Sequence, residues 1–507
     1  MSQQYLLDPI PCDKYDLLTK EELIALHLGE QKIRLAFQKE VEELKKQRDQ
    51  AEQKSLLVEG NYVLIKKKLF GKSSEKSPSS ESEKKEKRPP RTKVQLPSQR
   101  YPNAAIIETD IEFETLPSCA CCGGQMKDSG MTEDSELLTV IPRQFYVVRQ
   151  KRHKYRCTSC HGDIKTAPGV PKIKEGSSYS DEMVIDVAMS KYCDLIPVER
   201  YVSMAARGGI TGLPAHSLIQ TTHSLADFVM GAYEKLKDEV TSSLVLHADE
   251  TPHRMLEGDN KSNWYLWGFS TSKASYFETH DTRSGDVASS FLANSSCEFL
   301  VSDVFSGYGK AVRETNLYRE EKGLRPVVNI YCNAHARRKF KDASEVFGDE
   351  AQFYLTEYKE VYRLEAELKL LPREERQNYR DRMRDSFVKI KERALLEENV
   401  YPSKSLMGKA ISYFLKNYDS LILFLDNIDL PIDNNSQERL MRNAVIGRKT
   451  WYGTHSKRGA TTAAVLFSLV ESCKLNKVNP RKYFEALVEN LHLGKAAFTP
   501  AEWEKAS

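Results

Sequence analysis

The hydrophobic pattern near the start of the chain is that of a long amphipathic helix. Thr19 and Glu22 have the spacing of a capping box, and apolar residues then recur every three or four positions from Leu23 to Leu44. Charged residues occupy most of the positions between them. The pattern predicts a helix over residues 13–70 and is typical of a coiled coil that joins two or more copies of the chain. Packing of the helix against its own chain is the alternative.

Periodicity is lost over residues 71–100, which are rich in Ser, Lys, Glu and Pro. This composition predicts a disordered basic linker. Such a segment attracts phosphate backbones without reading their sequence, although it is equally compatible with a solvated spacer.

Paired cysteines mark the next segment, residues 101–175. Two pairs have C-x-x-C spacing: Cys119 with Cys122, and Cys157 with Cys160. Four thiolates in two such pairs can close a tetrahedral Zn²⁺ site, so we predict a structural zinc-binding module. Cys121 leaves open which cysteines of the first cluster bind the metal. The segment between the pairs alternates like a strand, allows a hairpin there, and is basic enough to contact DNA.

Helical periodicity returns over residues 176–240. Two amphipathic stretches lie on either side of a glycine-bearing turn at residues 208–212. The order helix, turn, helix matches a helix-turn-helix DNA-binding unit, and a purely structural helical pair fits equally well.

After residue 240 the apolar pattern changes to that of strands. Three strands in meander, a helix, a strand, a helix or turn and a further strand are predicted, which is the element order of an α/β ribonuclease H-like fold. Asp249 and Asp303 each end an apolar run. We expect them at the ends of parallel neighbouring strands, close in space, within a catalytic domain spanning residues 241–460.

A third carboxylate is available from a helix that starts near Asn434. Glu438 shares one face of that helix with Asn434 and Arg442, and an ordinary surface Glu–Arg pair is the alternative. Three carboxylates suit two Mg²⁺ (or Mn²⁺) ions, which take oxygen ligands and can promote phosphoryl transfer. The charge-rich residues 341–430 predict a helical insertion in this domain, and residues 461–507 a C-terminal helical element.

Basic side chains flank the predicted site and are expected to hold DNA phosphates, although a solvated helix face is possible for any one of them. They are His335, Arg337, Arg338, Lys339, Arg439, Arg442, Arg448, Lys449, Lys457 and Arg458. Cys332 and His335 have C-x-x-H spacing, but no second pair accompanies them, so we do not expect a second zinc site. Trp451 and Tyr452 are expected in the core rather than on a base.

Composition narrows the class of protein. The 507 residues carry 75 Lys and Arg against 72 Asp and Glu, so the chain as a whole is neither a polycation nor a polyanion. A mean hydropathy of -0.54 and the lack of a long apolar run exclude a membrane bundle. No secretory signal is visible and ten cysteines are few for the length, so we expect a cytoplasmic protein with reduced thiols.

The motifs, taken in order, resemble those of insertion sequence 66 family DDE transposases. The matching pieces are LFGKSSEK, the two cysteine pairs, KYCDLIPVERYVSMAARGGI, ADETPHRM, SDVFSGYGK, YCNAHARRKF, IDNNSQERLMR, GRKTWYGTHSKRGATTAA and SLVESCKLNKVNPRKYFEAL. The resemblance implies Asp249, Asp303 and Glu438 as the DDE triad, a zinc-binding N-terminal module, and action on the terminal inverted repeats of a bacterial mobile element. It also implies double-stranded DNA as partner and accessory proteins encoded by the same element.

Other readings of the same residues remain open at this stage. The chain could be a catalytically silent, sequence-specific, zinc-containing DNA-binding protein. It could also be a metal-dependent nuclease without strand transfer, or a scaffold that uses only its N-terminal helix.

Overall fold

The computed structural model of the protein describes residues 19–70, 96–113, 115–128, 130–131, 135–140, 143–159, 164–257 and 263–506. Most of the predicted linker, residues 71–95, lies outside these ranges, as does the start of the predicted N-terminal helix. The helix itself, α1, spans Lys20–Phe70.

The predicted capping box of α1 is confirmed. The Thr19 amide donates to Glu22 Oε2 at 2.8 Å, and the Glu22 amide donates to Thr19 Oγ1 at 3.3 Å. These two bonds satisfy amides that have no partner within the helix. Apolar side chains of the seam are exposed in the single chain, with Phe37 at 64%.

The cysteine-bearing segment contains little regular structure. Helix α2 is Pro97–Arg100, and strands β1, Lys154–Arg156, and β2, Ile164–Thr166, form an antiparallel pair. The prediction of a strand between the cysteine pairs was wrong for residues 143–153, which belong to no strand. The two strands instead lie on either side of the second cysteine pair in the sequence, because β1 ends just before Cys157 and β2 begins at Ile164.

Four helices follow: α3, Asp181–Tyr192; α4, Val198–Arg207; α5, Ala215–Phe228; and α6, Met230–Thr241. Helix α5 packs on α3 and α15 through a face that includes Leu218 and Leu225. His216 and Asp227 are exposed, and Gln220 and Ser224 on the same side of the helix are half-buried. The helix-turn-helix unit therefore stays a prediction.

The predicted order of strands and helices after residue 240 is confirmed. The elements are β3, Val245–Arg254; β4, Asn263–Ser270; β5, Ser275–His280; α7, Gly285–Ala293; β6, Phe299–Ser302; α8, Ser306–Glu321; and β7, Val328–Tyr331. They form one mixed sheet of order β5-β4-β3-β6-β7, in which β3, β6 and β7 are parallel while β4 is antiparallel to β3 and β5.

Helices fill the stretch after the sheet. They are α9, Asn333–Ala343; α10, Gly348–Leu368; α11, Arg376–Glu397; α12, Leu406–Lys416; and α13, Tyr418–Ile422, with 3-10 turns at Arg373–Glu375 and Leu423–Leu425. They share a hydrophobic core with Val301 of β6 and Ile330 of β7, because one face of these strands packs against them.

The last helices are α14, Asn435–Trp451; α15, Lys457–Leu475; α16, Pro480–His492; and α17, Pro500–Ala506. The predicted division between residues 460 and 461 falls inside α15, which is part of the sheet's own core. Its Ser468 and Ser472 hydroxyls accept the amides of Phe277 and Ser275 at 2.8 and 2.9 Å, so α15 covers the edge strand β5.

No helix among the described residues is long and apolar enough to span a bilayer.

Candidate active site

Asp249 and Asp303 lie level with each other on neighbouring parallel strands. The pairing of β3 with β6 joins Val245 to Phe299 and His247 to Val301. Two residues further on, the same register brings Asp249 opposite Asp303. Asp303 follows the last residue of β6 as predicted, but β3 runs on past Asp249 to Arg254, because this part of β3 pairs with β4. Asp249 is therefore in mid-strand, not at a strand end.

The start of α14 is tied to the same face of β3. The Asn434 Nδ2 amide donates to the Ala248 carbonyl at 2.8 Å, and Asn434 Oδ1 lies 2.8 Å from His247 Nδ1. His247 and Asp249 are two residues apart and so project to one face of the strand. Glu438 is one turn beyond Asn434, with its amide bonded to the Asn434 carbonyl, which puts the third carboxylate over that face.

Asn434 immediately precedes the first residue of α14. Its side chain caps no amide of α14 and bridges to β3 instead. The Asn435 amide is satisfied by Asp433 Oδ1 at 3.1 Å. The carbonyl that Asn434 contacts belongs to a residue 186 positions earlier in the sequence. The residues next to Asn434 therefore do not predict this role.

The three carboxylates act on one another electrostatically. Burial, followed by the negative charges of Glu250, Glu438 and Asp303, raises the pKa of Asp249 to about 8. Such a shift needs charges that are close and poorly screened. A buried carboxylate beside further carboxylates is an environment that a divalent metal favours.

Glu438 has cationic neighbours from α9 rather than from its own helix. His335 Nε2 lies 3.7 Å from Glu438 Oε1, and Arg338 Nη2 lies 3.9 Å from Oε2. The alternative of a surface pair between Glu438 and Arg442 is not observed, because Arg442 is exposed on the helix while Glu438 is half-buried. Within the described residues Glu438 Oε1 has no hydrogen-bond partner although it is buried, which leaves it free to bind a cation.

Glu250 is a neighbouring carboxylate that sequence reasoning missed. Its side chain, 2% exposed, projects to the opposite face of β3. Arg283 donates to its Oε1 at 2.6 and 2.8 Å, and the Tyr308 hydroxyl donates to Oε2 at 2.6 Å. Both carboxylate oxygens of Glu250 therefore accept hydrogen bonds, which hold β3 in place from the face opposite Asp249. This leaves Glu250 less suited than Asp249 to bind a metal.

Comparison with known proteins decides the family. The family described as "Transposase IS66 family" matches residues 176–462, which include all three carboxylates and both the sheet and the helices that surround it. The chain belongs to the IS66 family of transposases. A second family, described as the "zinc-finger binding domain of transposase IS66", matches residues 117–161, which contain both cysteine pairs.

Three relatives come from Sinorhizobium fredii (strain NBRC 101917 / NGR234), and each is named as an uncharacterized protein. Protein y4jD is 28% identical over 76% of this chain and 76% of its own length. Protein y4hP is 24% identical over 78% of this chain and 75% of its own length. Protein y4qI is 26% identical over 76% of this chain and 73% of its own length.

The basic side chains predicted to hold DNA fall into two groups in this IS66 family protein. Some are already engaged: the Lys339 ammonium lies over the Tyr413 ring, Arg448 donates to the Pro252 carbonyl, and Arg458 pairs with Asp227 at 2.7 Å. Four others are exposed on α14 and the start of α15: Arg439, Arg442, Lys449 and Lys457, the last with its ammonium 5.8 Å from the Trp264 ring centroid. Arg337 lies half-buried on α9 beside Arg338.

The aromatic pair at the end of α14 separates into two environments. Trp451 packs edge-on against Tyr192, and the Lys191 ammonium lies 4.4 Å from its ring centroid, which agrees with a core position. Tyr452 is 72% exposed and has a positive φ of 65°, so the prediction that it lies in the core was wrong. It ends the helix with a left-handed residue and leaves its ring in solvent.

The first cysteine cluster has the local geometry of a zinc knuckle. The Cys119 amide bonds to the Gly124 carbonyl at 2.8 Å, and the turn closes at Gly123, where φ is 73°. Backbone amides of Cys121 and Cys122 donate to the Cys119 thiol and hold its pKa below the ordinary value, which favours the thiolate that binds zinc. Cys160 lies outside the described residues.

Loss of one predicted ligand should remove the metal from the zinc module. We expect the Cys157→Ser protein to contain about one zinc fewer per chain than the unmodified protein, because three thiolates bind far more weakly than four. Metal analysis by mass spectrometry measures this. Cys193→Ser, outside the zinc-finger segment, is the control and should keep its zinc; equal zinc content in the Cys157→Ser protein would contradict a four-thiolate site.

The bridge made by Asn434 should be needed to position Glu438. We expect Asn434→Ala to lower the free energy of unfolding by about 1–3 kcal/mol, because it removes the donor to the Ala248 carbonyl and the nearer of two hydrogen-bond partners of His247 Nδ1. DNA cleavage should fall by roughly 100-fold while DNA binding persists, since small displacements of reacting groups are costly. Asn435→Ala, whose partner Asp433 is local, is the control; equal effects of the two changes would refute the positioning role.

Proposed function

We propose that this protein is the DNA transposase of a bacterial insertion sequence. It would bind the terminal inverted repeats and catalyse Mg²⁺-dependent strand cleavage and strand transfer with Asp249, Asp303 and Glu438. Two observations carry the proposal: the pairing of β3 with β6 and the Asn434 bridge to β3 bring Asp303 and Glu438 near Asp249, and burial, Glu250, Glu438 and Asp303 together raise the pKa of Asp249.

The arrangement of the sheet supports a ribonuclease H-like domain. Three antiparallel strands form one side, two parallel strands extend the other, and the strand order is β5-β4-β3-β6-β7. In this topology β3 is the central strand and lies next to β6. A helix from later in the chain can pack on one face of β3, next to the end of β6. Helix α14 occupies that place.

The donor set fits Mg²⁺, because all three groups offer hard carboxylate oxygens and Glu438 Oε1 is a buried acceptor with no partner among the described residues. Asp249, Asp303 and Glu438 would hold the metal. Bound there, it would lower the pKa of an attacking water or 3′-hydroxyl and stabilise the leaving oxygen of the phosphodiester. The Arg338 and His335 side chains would orient the scissile phosphate from the α9 side.

DNA beyond the scissile phosphate would run along the exposed basic positions of α14 and α15. Their four charges, Arg439, Arg442, Lys449 and Lys457, lie on one helix and the start of the next. The Tyr452 ring, exposed at the junction of these helices, is suited to stack on a base. The zinc module would add basic contacts to the element end.

Assembly would use α1. Apolar side chains of its seam, such as Phe37 and Leu44, are each more than half exposed in the single chain, and burial against a second copy of α1 would remove them from water. We therefore propose a homodimer or higher oligomer, assisted by accessory proteins of the same element.

The alternative is a catalytically silent, zinc-containing DNA-binding protein, and a strand-transfer assay separates the two. Purified protein is mixed with a labelled duplex that carries an element end, a supercoiled target and either Mg²⁺ or chelator. A transposase yields cut ends and joined products only with Mg²⁺. Binding without cutting would support the silent alternative, and cut ends that never join would indicate a nuclease.

A further inference from the structure

The C-x-x-H motif at the start of α9 lies against the candidate active site. Cys332 and His335 come from the same turn, and Glu438 approaches from α14. The Cys332 sulfur, a His335 ring nitrogen and a Glu438 oxygen all lie within 4.8 Å of one another. No second cysteine pair is needed, because the third ligand comes from more than 100 positions away.

We propose that Cys332, His335 and Glu438 bind one thiophilic divalent cation of the Zn²⁺ class, and that this cation inhibits the enzyme by withdrawing Glu438 from Asp249 and Asp303. The inhibitory part of the proposal rests on the proposed function. The binding part does not.

The distances suit such a cation after small adjustments. Two bonds of about 2.0 Å at a tetrahedral angle place a nitrogen and an oxygen roughly 3.3 Å apart, and His335 Nε2 lies 3.7 Å from Glu438 Oε1. Thiolate and imidazole favour Zn²⁺ or Co²⁺ over Mg²⁺, which prefers oxygen ligands alone. The trio therefore differs in selectivity from the all-carboxylate set beside it.

The polar atoms of the trio are prepared for a ligand. Among the described residues Glu438 Oε1, which faces His335 Nε2, has no hydrogen-bond partner although it is buried. The Asn434 amide donates to Cys332 Sγ at 3.2 Å, while burial raises the pKa of this thiol to about 12. Binding would form a sulfur–metal bond, break the S–H bond and release that proton to solvent.

Access and charge set the direction of approach. Cys332 is fully buried, while the side chains of His335 and Glu438 are 28% and 31% exposed. A cation would therefore enter from the active-site side, past Arg338, whose positive charge would weaken binding. Because of this weakened affinity, the site would fill when the concentration of free metal rises and would not hold its metal permanently.

Co²⁺ titration of the full-length, zinc-loaded protein tests the binding. Unmodified protein should bind one Co²⁺ per chain more than the Cys332→Ser protein and should show a thiolate-to-cobalt charge-transfer band in the near ultraviolet. Cys473→Ser, which removes a buried cysteine of α15, is the matched control and should behave as the unmodified protein. His335→Gln keeps the thiol and should weaken Co²⁺ binding at least tenfold, so a folding defect of Cys332→Ser cannot hide the answer.

Inhibition is measured on end cleavage in Mg²⁺ with added Zn²⁺. The Zn²⁺ concentration that halves each protein's own rate should rise at least tenfold in Cys332→Ser relative to Cys473→Ser. Equal Co²⁺ stoichiometry without the band in all four proteins would overturn the site. If Co²⁺ binds as expected but no protein cleaves DNA in Mg²⁺, the metal site stands and the proposed function is overturned. If Co²⁺ binds as expected but Zn²⁺ inhibits Cys332→Ser and Cys473→Ser at the same concentration, the inhibition is overturned.

Discussion

Replacing Glu438 by alanine is expected to abolish DNA cleavage. The change removes one of three carboxylates that face a common pocket, and the remaining two cannot supply the same number of ligands to Mg²⁺. We expect a loss of at least ~10³-fold in the rate of end cleavage, equivalent to about 4 kcal/mol of transition-state stabilisation. Binding of an end-containing duplex should change little, because Glu438 repels phosphate rather than attracting it.

Single-turnover cleavage of a labelled duplex, with a parallel gel-shift assay, measures both quantities. Glu438→Gln keeps the size and packing of the side chain but removes its charge. It should be nearly as inactive as Glu438→Ala, which would show that the charge is needed and not only the shape. Glu320→Ala removes an exposed glutamate of α8 and should cleave at the normal rate. Retention of cleavage within tenfold in the Glu438→Ala protein would show that the carboxylate assignment is wrong.

The second large effect concerns stability and its dependence on pH. Asp249 has an ordinary pKa of 3.8, and burial with neighbouring negative charge raises it to about 8 in the folded protein. The folded state therefore holds this proton more tightly than the unfolded state. Without metal, the free energy of unfolding should fall as the pH rises from about 4 to about 8, and the full penalty should remain above pH 8.

Asp249→Asn removes this penalty, since an amide carries no charge at any pH. At pH 8.5 in chelator the variant should be more stable than the unmodified protein by several kcal/mol, at about 1.4 kcal/mol per pKa unit, and the difference should shrink towards pH 4. Mg²⁺ should stabilise the unmodified protein and have little effect on the variant.

Denaturation followed by tryptophan fluorescence reports on this region, because Trp267 and Trp264 lie on β4 opposite Glu250 and His253 of β3. Asp419→Asn, at an exposed site on α13, is the control and should leave the pH profile unchanged. A variant that is less stable than the unmodified protein at high pH would show that Asp249 is not in an uncompensated anionic cluster.

Local pattern was sufficient for most elements of the fold. The Thr19–Glu22 capping box, the long helix α1 and the run of strands and helices from β3 to β7 follow from short-range spacing, since periodicity and capping depend on residues within a few positions of one another. The failures are also informative. Alternation over residues 143–153 predicted a strand, but a strand forms only where a partner exists, and the partner β2 pairs with Lys154–Arg156 alone.

The candidate site divides in the same way. Asp249, Asp303 and Glu438 could be picked out from apolar runs and from resemblance to the IS66 family. The closeness of Asp249 and Asp303 was also expected from the predicted order of strands. The approach of Glu438 was not predictable in the same way, because it depends on the Asn434 bridge, which joins residues 186 positions apart. The same is true of Glu250, whose anchoring partners Arg283 and Tyr308 come from other elements.

Residue types and their spacing were thus enough to identify the family and to predict the zinc ligands and the acidic side chains, since these properties reside in individual residues and short motifs. Folding of the chain was required to bring Cys332 and His335 against Glu438 and to expose Tyr452. These features depend on contacts between distant segments, and such contacts arise from packing and burial that no short stretch of sequence encodes.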